Sequence, residues 1–144
     1  MTAEREGFRP LNETERAILD RLLEVSFPGR DELRAQLEAA LVRPWAECAE
    51  HCPSVEFLIE SDVRLPDYGS TVVPVEGMAS DADGIPIEIL LFCRDGTLHD
   101  LEFVIFSDRM KRMPRPSEIE VRAGHDPWPE GYMPPPLPPN AEPQ

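Results

Sequence analysis

The sequence predicts an α+β fold, with two N-terminal antiparallel helices packed on one face of a four- to five-stranded antiparallel meander sheet. Three observations carry this expectation. Apolar residues recur at helical spacing in the first third of the chain. Apolar runs joined by Asp-Gly turns fill residues 71–106. Ten of the 17 prolines lie after Met113, so the compact part should close near there. The 144 residues suffice for one core. They divide into an N-terminal arm (1–8), a single domain (9–122) and a Pro-rich tail (123–144) that is flexible or folded back on the sheet.

The first helix is expected to start at Asn12. Asn12 and Glu15 have capping-box spacing, in which each side chain satisfies a free backbone N–H at the helix start. Glu13 and Glu15 also sit well against the positive end of the helix dipole. Ile18, Leu19, Leu22, Leu23 and Val25 form its apolar stripe. Phe27-Pro28-Gly29 breaks it, because proline cannot continue the hydrogen-bond ladder. A second helix begins at Asp31 and Glu32 and runs on Leu33, Leu37, Ala40 and Leu41. Arg43 and Pro44 close it. Residues 45–53 read as a short helix or a loop.

Val55–Glu60 alternates like a strand, and residues 64–70 form a loop. Two hairpins follow. A three-residue loop at Ala82-Asp83-Gly84 sets Ala79 against Ile87, Gly77 against Ile89 and Val75 against Leu91. A second three-residue loop, at Arg94-Asp95-Gly96, sets Leu91 against His99, Ile89 against Leu101 and Ile87 against Phe103. One face is then almost wholly apolar. A plain two-residue loop at Asp95-Gly96 would mix the faces, since a one-residue slip turns every side chain over. Residues 117–123 could add an edge strand.

The second face of that sheet is the candidate site. It carries Glu76, Met78, Glu88, Leu90, Phe92, Asp100, Glu102, Val104 and Phe106, and also Leu98. In this register Glu88 lies opposite Glu102, and facing like charges weaken a strand pair. A basic, partly apolar partner surface would match such a face. A second copy of the chain could also cover it, as could its own tail through Trp128, Tyr132 and Met133. The same carboxylates could instead hold a divalent cation or do acid–base work.

Composition narrows the partners. The net charge is −14, from 28 acidic and 14 basic residues. That repels nucleic-acid phosphates and anionic membranes. Three cysteines without framework spacing suggest reduced thiols and a cytoplasmic setting. No signal peptide is evident at the start and no apolar run reaches membrane-spanning length.

Other constellations favour plain readings. Cys48, His51 and Cys52 offer zinc-type ligands, but a fourth would have to come from distant Cys93, His99 or His125. Asp81-Ala82-Asp83-Gly84 lacks the remaining ligands of a calcium loop and reads as a turn. His99 is expected on the helix-facing side of its strand. The basic knot Arg109, Lys111, Arg112 and Arg115 should pair with the chain's own acids. Residues 133–139 read as a polyproline segment in a disordered tail.

The helix, Pro-Gly turn, "LRAQL" helix and DG-linked sheet of residues 9–106 resemble an uncharacterised family of small actinobacterial-type proteins. The resemblance implies an α+β fold and a cytoplasmic location, and it carries over no catalytic residue. The expected function is that of a non-catalytic, acidic protein-binding module, immunity-like or accessory. Its partner is a basic protein or a second copy of the chain, and no cofactor is expected. The alternative is a small enzyme or a metal- or small-ligand-binding protein using the same face.

Overall fold

The computed structural model describes residues 7–45, 53–106 and 110–124. Its elements in chain order are β1 (Arg9–Pro10), α1 (Glu13–Leu22), α2 (Arg30–Leu37), β2 (Leu41–Pro44), β3 (Val55–Leu58), β4 (Val72–Ser80), β5 (Pro86–Arg94), β6 (Thr97–Ile105), a 3-10 turn (Pro116–Glu118) and β7 (Glu120–Ala123). The strands form one antiparallel sheet in the order β1-β2-β3-β6-β5-β4-β7. The α+β class holds, with two helices packed on an antiparallel sheet.

The strand count does not hold, because the sheet has seven strands rather than four or five. The second helix stops at Leu37, and Leu41–Pro44 is a strand. Proline is tolerated there because β1 pairs only with Leu41 and Val42, so among the described residues no strand needs an N–H from Pro44 on that side. The order is not a simple meander either. β3 lies beside β6 and not beside β4, so residues 59–71 carry the chain past the two central strands.

α1 starts as its sequence indicates. Asn12 Oδ1 accepts the Glu15 N–H at 2.8 Å, and Glu15 Oε1 accepts the Asn12 N–H at 3.0 Å. Ile18, Leu19, Leu22, Leu33, Ile87, Ile89, Leu91, Leu98 and Leu101 are all at most 1% exposed. Each such side chain contributes roughly 1.5–3 kcal/mol on burial. Gly77 allows α1 to approach β4 closely. A Cβ there would lie 2.8 Å from Ile119 Cγ2 and 3.1 Å from Leu22 Cδ2.

The first hairpin keeps the expected pairs Ala79–Ile87 and Gly77–Ile89. The expected Val75–Leu91 pair is lost to a register shift between Val72 and Glu76. Pro74 sits within that shift and has no N–H for the ladder, a common cause of strand irregularity. The second hairpin differs more. Arg94 pairs with Thr97, so its loop is the two residues Asp95 and Gly96, with φ of 53° and 77°. Two left-handed residues make the tight turn whose twist suits a hairpin.

A bulge at His99 then restores the faces. Leu91 pairs with Leu101, Ile89 with Phe103 and Ile87 with Ile105, two residues away from the expected partners. The apolar pairs stay on one face, where Leu98 takes the place expected for His99. Glu88 therefore lies opposite Val104, and not opposite Glu102. Leu98, expected on the outer face, is 1% exposed in the core.

Gln36 of α2 holds this arrangement. Its Nε2 donates to Val63 O at 2.8 Å and to Gly96 O at 2.9 Å, while its Oε1 accepts the Leu98 N–H at 2.9 Å. Ser54 acts similarly beyond the short β3–β6 pairing, where its Oγ accepts the Phe103 N–H at 2.9 Å.

Candidate functional site

The outer face of the sheet is ordered in cross-strand rows. The first row runs Arg43 (β2), Glu56 (β3), Asp100 (β6), Phe92 (β5) and Val72 (β4). A second runs Glu102 (β6), Leu90 (β5), Glu76 (β4) and Arg122 (β7). A third runs Val104, Glu88, Met78 and Glu120 across the same strands. Eight of the nine expected residues thus share these rows. The ninth, Phe106, lies one residue past β6 and is 62% exposed. Met78 is buried, and Leu90, Phe92 and Val104 are partly buried.

Neutralisation across this face is uneven. Arg43 pairs with Glu56 toward one side, and Arg122 Nε donates to Glu76 at 3.2 Å toward the other. On the central strands, Glu88 and Glu102 have no Lys or Arg partner among the described residues. Burial, then the charge of Glu76, pushes the Glu88 carboxyl up.

Asp100 is the least ordinary residue of the face. It is 2% exposed. Its Oδ1 lies 2.7 Å from His99 Nδ1, while the buried Oδ2 meets no donor of its own. Among the described residues, Glu102 is the neighbour whose protonated carboxyl would serve it. Burial, then the hydrogen bond and charge of Asp100, push the Glu102 carboxyl up to about 7. Burial likewise raises Asp100, against the Glu102 hydrogen bond and the charge of Arg94. Carboxyls this close cannot readily ionise together.

These groups line a cleft of about 370 Å³. Among the described residues its walls include Trp45, Glu56, Phe92, Arg94, His99 and Asp100, with Glu102 beside them. Trp45 is placed by its N–H, which donates to Ser54 O at 3.1 Å. Its ring meets His99 edge-on, with centroids 6.2 Å apart. Sequence reasoning missed Trp45, Arg43 and Glu56 as site residues, and it put His99 on the wrong face. The bulge turns His99 outward beside Asp100. Alternation within Val55–Leu58 was the one signal that could have marked Glu56 as outward-facing.

The Cys93 thiol borders the cleft but is 7% exposed and is pushed up by burial, then by the charge of Asp67. That disfavours the reactive thiolate. Among the described residues, no group of three His, Cys, Asp or Glu side chains is arranged to hold a metal ion. Cys48, His51, Cys52, Arg109, His125 and the tail residues Trp128, Tyr132 and Met133 lie outside the described residues. Of the basic knot, Lys111 pairs with Asp83 and Arg112 with Glu118, as self-pairing requires.

Among the described residues, no helix is long and apolar enough to cross a membrane. Comparison with family models, curated proteins and solved structures finds no match to this chain.

Proposed function

We propose that this protein is a non-catalytic binding module, immunity-like or accessory, that docks a basic and partly apolar protein on the outer face of its sheet in the cytoplasm. The observation that carries this is the uneven neutralisation of the face. The chain's own arginines serve Glu56 and Glu76, while among the described residues Glu88 and Glu102 have no Lys or Arg partner and Asp100 meets only His99, through one oxygen. Phe106 and the half-buried Leu90, Phe92 and Val104 give apolar contact around those acids. A basic partner suits the face better than a second copy, because two chains of charge −14 repel.

Cross-linking capture from the host lysate tests this, using wild type and the Glu88→Lys/Glu102→Lys variant, with the fold of each checked by circular dichroism. The expected result is a basic protein cross-linked to the outer face of wild type alone. Equal capture by both baits would remove this face from the proposal.

A second reading, a small acid–base enzyme, rests on the neighbouring carboxyls of Asp100 and Glu102 in one cleft, both pushed up by burial, Glu102 to about 7. Turnover abolished by Glu102→Gln in a substrate screen would favour it over docking.

A further inference from the structure

We propose that the cleft between Trp45, Phe92, Asp100 and Glu102 is a subsite for one arginine side chain of the docked protein. This rests on the docking reading and specifies its chemistry. Asp100 Oδ2 is an acceptor without a donor in a side chain 3% exposed. A buried acceptor left open costs stability unless something fills it. Glu102 on the same strand offers a second carboxylate, and Glu56 on β3 a third, already bonded to Arg43 of β2.

The lining includes two aromatic residues beside the carboxylates. Trp45 and Phe92 present rings on which a planar cation can lie, while a small hydrated metal ion gains nothing from them. A guanidinium combines a flat face for stacking with a fork of donors for two carboxylates, and an ammonium does not. About 370 Å³ is near the lower end of the roughly 300–1,000 Å³ of small-ligand pockets, which suits a single side chain.

Binding exchanges one positive charge for another. Where burial keeps Glu102 protonated, its proton would leave to solvent as the guanidinium bridges it to Asp100. The charged or titratable groups facing this pair are His99 on β6, Glu56 on β3, Arg43 on β2, and Arg94 and Cys93 on β5. Arg94 at the cleft margin opposes an incoming cation, so the two carboxylates must supply the attraction.

The test is an NMR titration of the full chain with Nα-acetyl-argininamide, its citrulline counterpart and Nα-acetyl-lysinamide. Argininamide is expected to saturate with a dissociation constant on the order of 1 mM, shifting the Trp45 indole and the Asp100 and Glu102 amides. Citrulline, of similar shape and uncharged, should bind at least about tenfold more weakly, and lysinamide more weakly than argininamide. Glu102→Gln and Asp100→Asn should each weaken argininamide while the amide spectrum away from the cleft stays that of the folded wild type. Affinity should rise by about tenfold from pH 6 to 8 in wild type, with a smaller rise in Glu102→Gln.

Equal binding of citrulline, equal binding of lysinamide, no saturation by about 10 mM, or native affinity in Glu102→Gln would each overturn the subsite. A failed titration combined with capture that still depends on Glu88→Lys/Glu102→Lys would leave the docking face standing without it. Loss of both would remove both.

Discussion

Two of the regions that bury carboxylates treat them differently. At the Asp81–Glu118 end every buried oxygen is served. Asp81 is 0% exposed, and its oxygens accept the N–H groups of Ala82 at 2.7 Å, Arg112 at 3.1 Å and Lys111 at 2.8 Å. Glu118 accepts Arg112 Nη2 at 2.6 Å and the Arg115 N–H at 2.9 Å. Burial pushes Glu118 up, but the Arg112 hydrogen bond and the other donors outweigh it and hold it below its ordinary value. At the Asp100–Glu102 end, one oxygen is orphaned and both carboxyls are raised. Burial of an acid is therefore not by itself a sign of function. A buried acid whose donors the fold does not supply is the informative case.

The largest expected effect is at the Asp81–Glu118 end, where the carboxylate oxygens are served although Arg112 Nε and Nη1 find no acceptor among the described residues. Glu118→Ala leaves the fully buried Arg112 side chain without its counter-charge. Urea unfolding should show a loss of roughly 3–5 kcal/mol. A loss below about 1 kcal/mol would mean that Arg112 escapes to water, and the contrast between the two ends would weaken.

Asp81→Ala comes next. It strips partners from three backbone N–H groups, two of which tie residues 111–112 to the first hairpin loop. A cost of about 2–3 kcal/mol is expected, with faster hydrogen exchange at Lys111 and Arg112.

Smaller, and opposite in its pH dependence, is the effect of Glu102. Its folded value of about 7 stands above its ordinary 4.5. Its stabilising contribution is therefore complete below about 4.5 and is lost as pH rises through about 7. Thermal melts of wild type should fall between about pH 5 and 8, and Glu102→Gln should flatten that fall. Glu118 and Glu15 are lowered, so their contribution is present above their ordinary value and lost as pH falls below it. The two ends thus lose stability in opposite directions of pH. If Glu102→Gln leaves the neutral slope unchanged, the carboxyl pair does not share a proton.

The smallest stability effect should be that of Asp100→Asn. It removes a buried charge that the fold does not fully serve, so stability should change by less than about 1 kcal/mol. A loss as large as that of Glu118→Ala would make Asp100 a structural anchor like Asp81.

Much of the inner architecture could be read from local pattern. The Asn12–Glu15 capping box, the α1 stripe and the pairs Ala79–Ile87 and Gly77–Ile89 depend on residues close in sequence. Most of the outer face was legible for the same reason, because alternation survives a two-residue change of register, but Leu98 and His99 exchange faces at the bulge. What failed was pairing. A search over plain hairpins rejects the two-residue Asp95-Gly96 loop, because it does not include a bulge that repairs the faces afterwards. The site suffered most from this. The bulge brings His99 to Asp100, while Trp45 and Glu56 arrive from strands far away in sequence.

By itself the sequence determined the class of fold, the start of α1, the apolar and polar faces of the central strands and the acidity of the outer face. These follow from helix caps, side-chain periodicity and charge, which act over a few residues. Only the tertiary structure decided that β2 is a strand, that β3 joins β6, and which carboxylates become neighbours. Those outcomes depend on long-range partners: Gln36 accepting the Leu98 N–H, Ser54 accepting the Phe103 N–H, and Arg43 reaching Glu56. A buried polar group must find its partner wherever the fold brings one, and sequence periodicity does not encode that distance.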